Sequence, residues 1–243
     1  MFDYKARRNQ VLDRLPVGSV VVIKGAKDIQ RNRDNSYLFR QNSYFNYLTG
    51  FKQPGAYLVL TKLETQGYKS ILYIDPYDKN KAQWTGNTSR LEDMPAKYGV
   101  TEALSTTDLD KNMPELLTKV KHFYFIHPHA ESLPIELELN IEKNKWLEMR
   151  GSDAYDLVIH DLRAILDPMR LIKDEAEIQV LKEVSFISAQ AHIALMNNCQ
   201  AGMQENQLAA LFEFVCKSND CQDLAYPSIV AGGERGWCLH WPA

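Results

Sequence analysis

The 243-residue sequence has no apolar run long enough to cross a bilayer, and its first residues, MFDYKARRNQVLDRLP, lack the apolar stretch of a signal peptide. A cytoplasmic protein without a membrane partner is the expectation. Neither sign of charge prevails: 28 Lys and Arg stand against 31 Asp and Glu, interspersed along the chain, for a net charge of -3. The basic surface that a phosphate backbone demands is missing, so nucleic acid is not an expected partner. Cysteine is scarce. The 4 present, Cys199, Cys216, Cys221 and Cys238, fall in the last fifth of the chain and read as buried thiols of a reducing compartment. Cys216 and Cys221 have no second Cys or His pair at a spacing that would hold zinc. There is no His-Glu-x-x-His, no P-loop and no Gly-x-Ser-x-Gly elbow, and Gly232-Gly233-Glu234 does not follow a dinucleotide pattern. His127-Pro128-His129 reads as a solvated turn at a strand end, and Lys173-Asp174-Glu175 as a charge cluster at a helix start.

What is present is a chain that is 45% hydrophobic, enough for one large domain or for a compact domain plus part of a second. Residues 4–15 predict a short helix ending at Pro16-Val17-Gly18. SVVVIKG then forms a continuous β-branched run, the mark of a strand buried on both faces. AKDIQRNRDNS is too hydrophilic for a core. YLFRQNSYFNYLTGF predicts a strand and a short helix leading to a turn at Gln53-Pro54-Gly55. AYLVLTKLE and KSILYIDP predict adjacent strands joined near Gln66-Gly67. SRLEDMPAKYG and TDLDKNMPELLTKV predict surface helices, KHFYFIHP another strand, and the segment from Ile141 to Leu166 one or two closing helices. Strands alternating with helices make the fold class α/β through about residue 165. Asp167-Pro168 is the expected boundary, because proline biases its predecessor away from helix.

The next helix is the clearest element. Asp174 can cap its start, with Glu177 completing a capping box. Val180, Val184, Ile187, Ala191 and Ala194 recur at helical spacing, as do Ile178, Leu181, Ser185, Ser188, His192 and Leu195, so burial on more than one side is expected. Ala201-Gly202 ends it. A second amphipathic helix carries Leu208, Leu211, Phe212 and Val215. The tail, YPSIVAGGERGWCLHWPA, predicts a short strand, a glycine turn and the beginning of another strand. Composition, periodicity and spacing stop at a soluble α/β protein with a helical second segment.

Two stretches go further by resemblance. Phe39-Arg40-Gln41 and Tyr47-Leu48-Thr49-Gly50-Phe51, with the entry segment YKARRNQVLDRLPVGSVVVIKGA and Trp84-Thr85-Gly86, resemble the amino-terminal domain of bacterial aminopeptidase P, the Xaa-Pro aminopeptidase family of creatinase/prolidase-like metallopeptidases. Tyr44 stands where that family usually has an acidic residue. RLIKDEAEIQVLKEV and AHIALM…AGMQENQLAALFEF look like the first two helices of the family's pita-bread catalytic domain. SIVAGGERGWCLHW resembles the strand-turn-strand that follows, with Arg235 in the place of the usual asparagine and Trp241 in an aromatic place. The Phe39–Gln41 and Tyr47–Phe51 motifs favour aminopeptidase P over creatinase or prolidase relatives.

The resemblance implies a creatinase-type amino-terminal domain over 1–167, a mixed sheet with flanking helices, followed by an incomplete pita-bread α+β domain over 168–243. It implies hydrolysis of proline-containing peptides, removing the residue that precedes proline. The cofactor it implies is a pair of divalent ions, typically manganese, held by two Asp, one His and two Glu. His240 matches a histidine that contacts substrate or stabilises the intermediate beside those metals. Trp84 is placed near a substrate cleft of a neighbouring subunit, which makes a homo-oligomer the expected assembly. The family's metal ligands follow the leucine-histidine-aromatic motif and would lie beyond Ala243. No metal residue is therefore expected within 1–243, and the chain alone is expected to be inactive. A non-catalytic association module is the alternative. Each large aliphatic side chain left uncovered on the tail helices forfeits roughly 1.5–3 kcal/mol, so the segment beyond residue 168 is expected to be mobile or to pair with a second copy.

Overall fold

The computed structural model describes residues 2–65, 67–126 and 157–241. The chain forms two compact bodies, Asp3–Ile172 and a second from Lys173 onward.

The first body begins with α1 (Tyr4–Asp13), whose cap Asp3 accepts the Ala6 N–H at 2.8 Å. β1 (Ser19–Lys24) follows, then the exposed hairpin of β2 (Gln30–Asn32) and β3 (Asn35–Ser36). Next come α2 (Ser43–Thr49), β4 (Tyr57–Lys62), β5 (Tyr68–Ile74), α3 (Lys79–Thr85) and α4 (Met94–Tyr98). β6 (Glu102–Ser105), α5 (Leu109–Leu117), β7 (His122–Phe125), β8 (Val158–Asp161) and α6 (Arg163–Leu171) complete the described elements.

Six strands make one mixed sheet in the order β6-β5-β4-β1-β7-β8. β1 pairs antiparallel with β4 and parallel with β7, from Ser19 opposite His122 to Val22 opposite Phe125. That central place explains the unbroken β-branched run: alternate side chains of a strand point to opposite faces, and both faces are covered here. Val21, Ile23, Leu58, Leu60, Leu72 and Ile74 pack on one face beneath α1, α2 and α6. Val20, Val22, Tyr57, Val59 and Tyr73 pack on the other against Leu109, Met113 and Leu117 of α5.

Three expectations change in this body. Tyr37–Asn42 forms no strand: Tyr37 N–H donates to the Ile29 carbonyl at 2.9 Å and Asn42 N–H to a side chain described below, with no strand ladder between them. Residues 158–161 are a strand, not a helix: Val158 and Ile159 are β-branched, and the segment pairs parallel with β7. The remainder of the expected closing helices, residues 141–156, lies outside the described residues, as do Gln66 and His127-Pro128-His129. Asp167-Pro168, expected to interrupt helix, falls inside α6, which runs on to Leu171. Proline removes the donor to the carbonyl four residues back, but that residue, Ala164, is exposed and water can take the place of the lost bond. Leu166 and Met169 are buried and hold the helix on the core.

The second body is built on α7 (Glu175–Asn198) and α8 (Glu205–Ser218). The capping box is present at its start: Asp174 accepts from Glu177 N–H at 2.8 Å and Glu177 accepts from Asp174 N–H at 3.0 Å. Burial is narrower than the apolar pattern predicts. Ala191, Ala209 and Cys216 are the buried residues of these helices, while Val180, Leu181, Val184, Phe186 and Met196 are exposed. α8 is shorter than α7, and apolar side chains on several sides of α7 stay in solvent. Among the described residues no helix is long and apolar enough to cross a membrane.

Candidate functional site

The Phe39–Gln41 motif owes its structure to Gln41. Its side-chain oxygen accepts the backbone N–H groups of Ala26 at 2.7 Å and Asn42 at 2.9 Å, and its amide nitrogen donates to the carbonyls of Phe51 at 3.1 Å and Gln53 at 3.0 Å. One amide thus uses both lone pairs and both hydrogens to join the exit of β1, the start of α2 and the loop after it. Asn42 then caps α2 through Tyr44 N–H and Phe45 N–H. Gly50 ends it at φ 64°, where a Cβ would also lie 2.4 Å from the Tyr4 ring. Arg40, between Phe39 and Gln41 in the motif, is exposed.

Tyr44 and Tyr47 face α6. The Tyr44 hydroxyl donates to Asp167 at 2.6 Å, so a carboxylate is still present where the family's usual acid is replaced, supplied from a residue 123 positions away. That hydrogen bond, more than burial, pushes the Tyr44 hydroxyl above its ordinary range. Arg170 lies 4.5 Å from the Tyr44 ring centre, and Arg7 lies 4.2 Å from that of Tyr47. Asp167, Arg170 and Arg7 were not legible as a set. Their one signal is the uncharged Tyr44 in an acidic place.

In the second body, the start of α8 organises the loop that carries His240. Glu205 accepts Gly232 N–H at 2.7 Å and the Trp241 indole N–H at 3.0 Å, and pairs with Arg235 at 3.0 Å. Arg235 also lies 5.2 Å from the Trp241 ring centre. The Gly232 N–H, then Trp241 and Arg235, hold the Glu205 carboxyl below the usual range against the opposing effect of desolvation. The residue that departs from the family pattern, Arg235, is therefore one of three that hold the loop on Glu205. The expected strand-turn-strand is not formed: Gly233–Trp237 is a single 3₁₀ turn, and His240 sits in an exposed turn. Two anchors on one carboxylate, at Gly232 and Trp241, curl the chain back instead of extending it. His192, expected to pack within its helix face, is exposed and meets the Phe212 ring at 5.0 Å.

Trp84 lies on α3, which Asp78 caps through Asn80 N–H and Lys81 N–H, and is 88% exposed. All four cysteines are free, and burial pushes the Cys216 thiol up. Cys199, at the end of α7, and Cys238, after the Gly233–Trp237 turn, are exposed rather than buried. Among the described residues no group of three or more His, Cys, Asp or Glu is placed to hold a metal ion. Pro242 and Ala243, past which the resemblance puts those ligands, lie outside the described residues.

Comparison with known proteins matches residues 4–124 to the amino-terminal domain of aminopeptidase P and residues 179–243 to metallopeptidase family M24. The Xaa-Pro aminopeptidase of Escherichia coli K12 is 30% identical over 241 residues, and that of Haemophilus influenzae is 31% identical over 245. Each alignment takes in 98% of this chain, but only 54% and 53% of the relative, so the chain spans about half the length of the curated relatives it matches. The structure of E. coli aminopeptidase P with the inhibitor Pro-Leu superposes with a TM-score of 0.90 at 29% identity, covering 98% of this chain and 54% of the other.

Proposed function

The chain belongs to the aminopeptidase P family, and from that membership we propose that the protein it contributes to removes the amino-terminal residue from peptides whose second residue is proline. The observation that carries this reading is the continuity of the likeness: both matched blocks occur in order along 98% of the chain, against relatives named for that activity. Proline sets the task, because its tertiary amide lacks the N–H that ordinary peptidases bind. In this reading residues 1–167 are the amino-terminal domain and 168–243 contribute to the metallopeptidase domain.

The family's chemistry is metal-dependent, and manganese is the ion proposed. No described residue is assigned as a ligand, and the ligands are proposed to lie beyond Ala243. His240 is proposed to contact substrate, on a loop whose position the Glu205 carboxylate fixes through Gly232 and Trp241. The enzyme is proposed to be cytoplasmic and homo-oligomeric.

The test is release of the first residue from an Xaa-Pro peptide with added manganese, and with a chelator as control. A longer protein containing this chain is expected to give chelator-sensitive release and to leave the Xaa-Ala analogue intact. Equal cleavage of both peptides would refute proline specificity. Residues 1–243 alone, at verified mass, are expected to give no turnover. Chelator-sensitive turnover by them would overturn the ligand assignment.

A second reading, an association module, is favoured by the exposed apolar side chains of Val180, Leu181 and Val184 on one side of α7. Sedimentation of the chain separates the two: a stable dimer lost on Val184→Lys supports the module, and a monomer removes it.

A further inference from the structure

Between the exit of β1 and the segment that returns from the β2–β3 hairpin lies an open groove of about 570 Å³. Lys24, Lys27 and Arg40 line it, together with Tyr37, Leu38 and Phe39, and no carboxylate does. This local excess of positive charge runs against the composition of a chain whose acids outnumber its bases. The hairpin's own acids, Asp28 and Asp34, do not reach the groove wall. Arg31 adds a further cation beside it, 5.7 Å from the Tyr37 ring centre. The floor is built rather than loose, because Gln41 ties Ala26 to Asn42 across the base of the groove.

Cations gathered on one surface repel one another, and a fold ordinarily separates them or interleaves acids. Apolar side chains add a second cost: Leu38 is 70% exposed and Tyr37 57% exposed. One kind of occupant relieves both, an extended chain that alternates carboxylates with apolar side chains. We propose that this groove is a binding site for acidic peptide segments, with carboxylates on Lys24, Lys27 and Arg40 and apolar residues on Tyr37, Leu38 and Phe39. An inorganic anion would leave the apolar wall uncovered, and a nucleic-acid backbone carries no aliphatic side chain to cover Leu38. The proposal rests on the groove and not on the aminopeptidase activity.

The experiment uses a fluorescent, amino-terminally acetylated, proline-free peptide of alternating Glu and Leu, which cannot serve as an Xaa-Pro substrate. Its binding to the 243-residue chain is followed by anisotropy, with the Gln-Leu peptide of equal length as comparator. The Glu-Leu peptide is expected to bind at least about fivefold more tightly at low salt, with the difference shrinking as salt rises. Lys27→Gln with Arg40→Gln is expected to weaken binding about tenfold, Leu38→Ser to weaken both peptides, and Lys69→Gln to change nothing. All four side chains are exposed, and unchanged circular dichroism verifies the fold of each variant. Equal binding of the two peptides, or an unaffected Lys27/Arg40 double variant, would overturn the proposal. Displacement of the peptide by oligothymidylate at lower concentration would overturn it in favour of nucleic acid. Self-association of the chain abolished by the double variant would overturn it in favour of a second copy.

Discussion

Replacing Gln41 with Ala removes four hydrogen bonds at once, and their sum is large enough to be read cleanly. The lost contacts are Ala26 N–H and Asn42 N–H to the side-chain oxygen, and the amide to the Phe51 and Gln53 carbonyls, all between 2.7 and 3.1 Å. A neutral hydrogen bond contributes about 0.5–1.5 kcal/mol net, so four give roughly 2–6 kcal/mol. Gln41 is half-buried, and water entering the space re-solvates part of what is freed. The expected cost is therefore in the lower half of that range, about 3 kcal/mol. For a body of this size that corresponds to a fall in Tm of roughly 6–12 °C. Urea and thermal unfolding, followed by tyrosine and tryptophan signals, measure both quantities. Arg40→Ala is the control, since the neighbouring side chain is exposed and its loss is expected to stay within about 0.5 kcal/mol. Gly25→Ala probes the same junction from the other side, because its Cβ would come 3.1 Å from the Gln41 oxygen and 3.0 Å from the Ala56 carbonyl. If Gln41→Ala costs less than about 1 kcal/mol, or no more than Arg40→Ala, the view of Gln41 as the tie between these segments is wrong.

Arg8 is 1% exposed and donates to the carbonyls of Leu48, Tyr98 and Gly99 at the ends of α2 and α4, while burial lowers its pKa to about 10. Lys at this position cannot reach all three, and Arg8→Lys is expected to cost about 2 kcal/mol in urea unfolding. An unchanged midpoint would refute the capping role. Burial and the charge of His122, whose Nδ1 lies 3.1 Å from His160 Nε2, hold His160 below the ordinary histidine range. The unfolded chain therefore binds the proton more readily. The stability this imposes is present above about pH 6.5 and is lost as pH falls below it, a slope that His160→Gln is expected to flatten in pH-resolved melts. Glu205→Gln leaves Gly232 and Trp241 with a weaker acceptor and Arg235 without its partner, and is expected to speed proteolysis between residues 232 and 241. Because the Glu205 carboxyl is held low, the wild-type loop is expected to open in the same way as pH falls below the usual carboxylate range. Equal cleavage of wild type and variant at neutral pH would count against the clamp.

β1, β4, β5, β7 and most helices were legible because burial there follows local periodicity, while β8 and the short β2, β3 and β6 were not. The unbroken Ser19–Lys24 run announced a strand covered on both faces, and Asp174 with Glu177 announced the start of α7. What escaped was chemistry in which a polar side chain does the work of backbone. Arg7 and Arg8 read as part of a charged, amphipathic α1, yet both are buried, because helix ends elsewhere in the fold present carbonyls that need donors. Lys62 behaves likewise, a lysine within a strand whose ammonium donates to the Leu12 and Leu15 carbonyls at 2.9 and 2.7 Å. Tyr37–Asn42 looked like a strand because its aromatics favour one, but Gln41 instead spends its side chain tying the end of this segment to Ala26, Phe51 and Gln53. The loop around His240 was placed by resemblance, and its geometry was not, since it depends on Glu205 and Arg235, some thirty residues apart. The pairing of Tyr44 with Asp167 was hidden for the same reason, a contact of long sequence separation between residues without a shared pattern.

The sheet order carries a consequence for how the chain is made. β1, at the heart of the sheet, is made before the other strands, and its antiparallel neighbour β4, with β5 paired to the far side of β4, is complete by residue 74. Its parallel partner β7 does not exist until residue 125, and β8 not until 161. During synthesis one edge of β1 stands unpaired for about a hundred residues, a template open to any extended segment nearby. Amide exchange on stalled nascent chains is expected to find Leu58 and Leu60 protected before Val20 and Val22 acquire their β7 partners, and simultaneous protection would exclude that order. The antiparallel half would then act as the seed on which the parallel flank is laid, and an N-terminal body slow to close would pass its delay to everything translated after it.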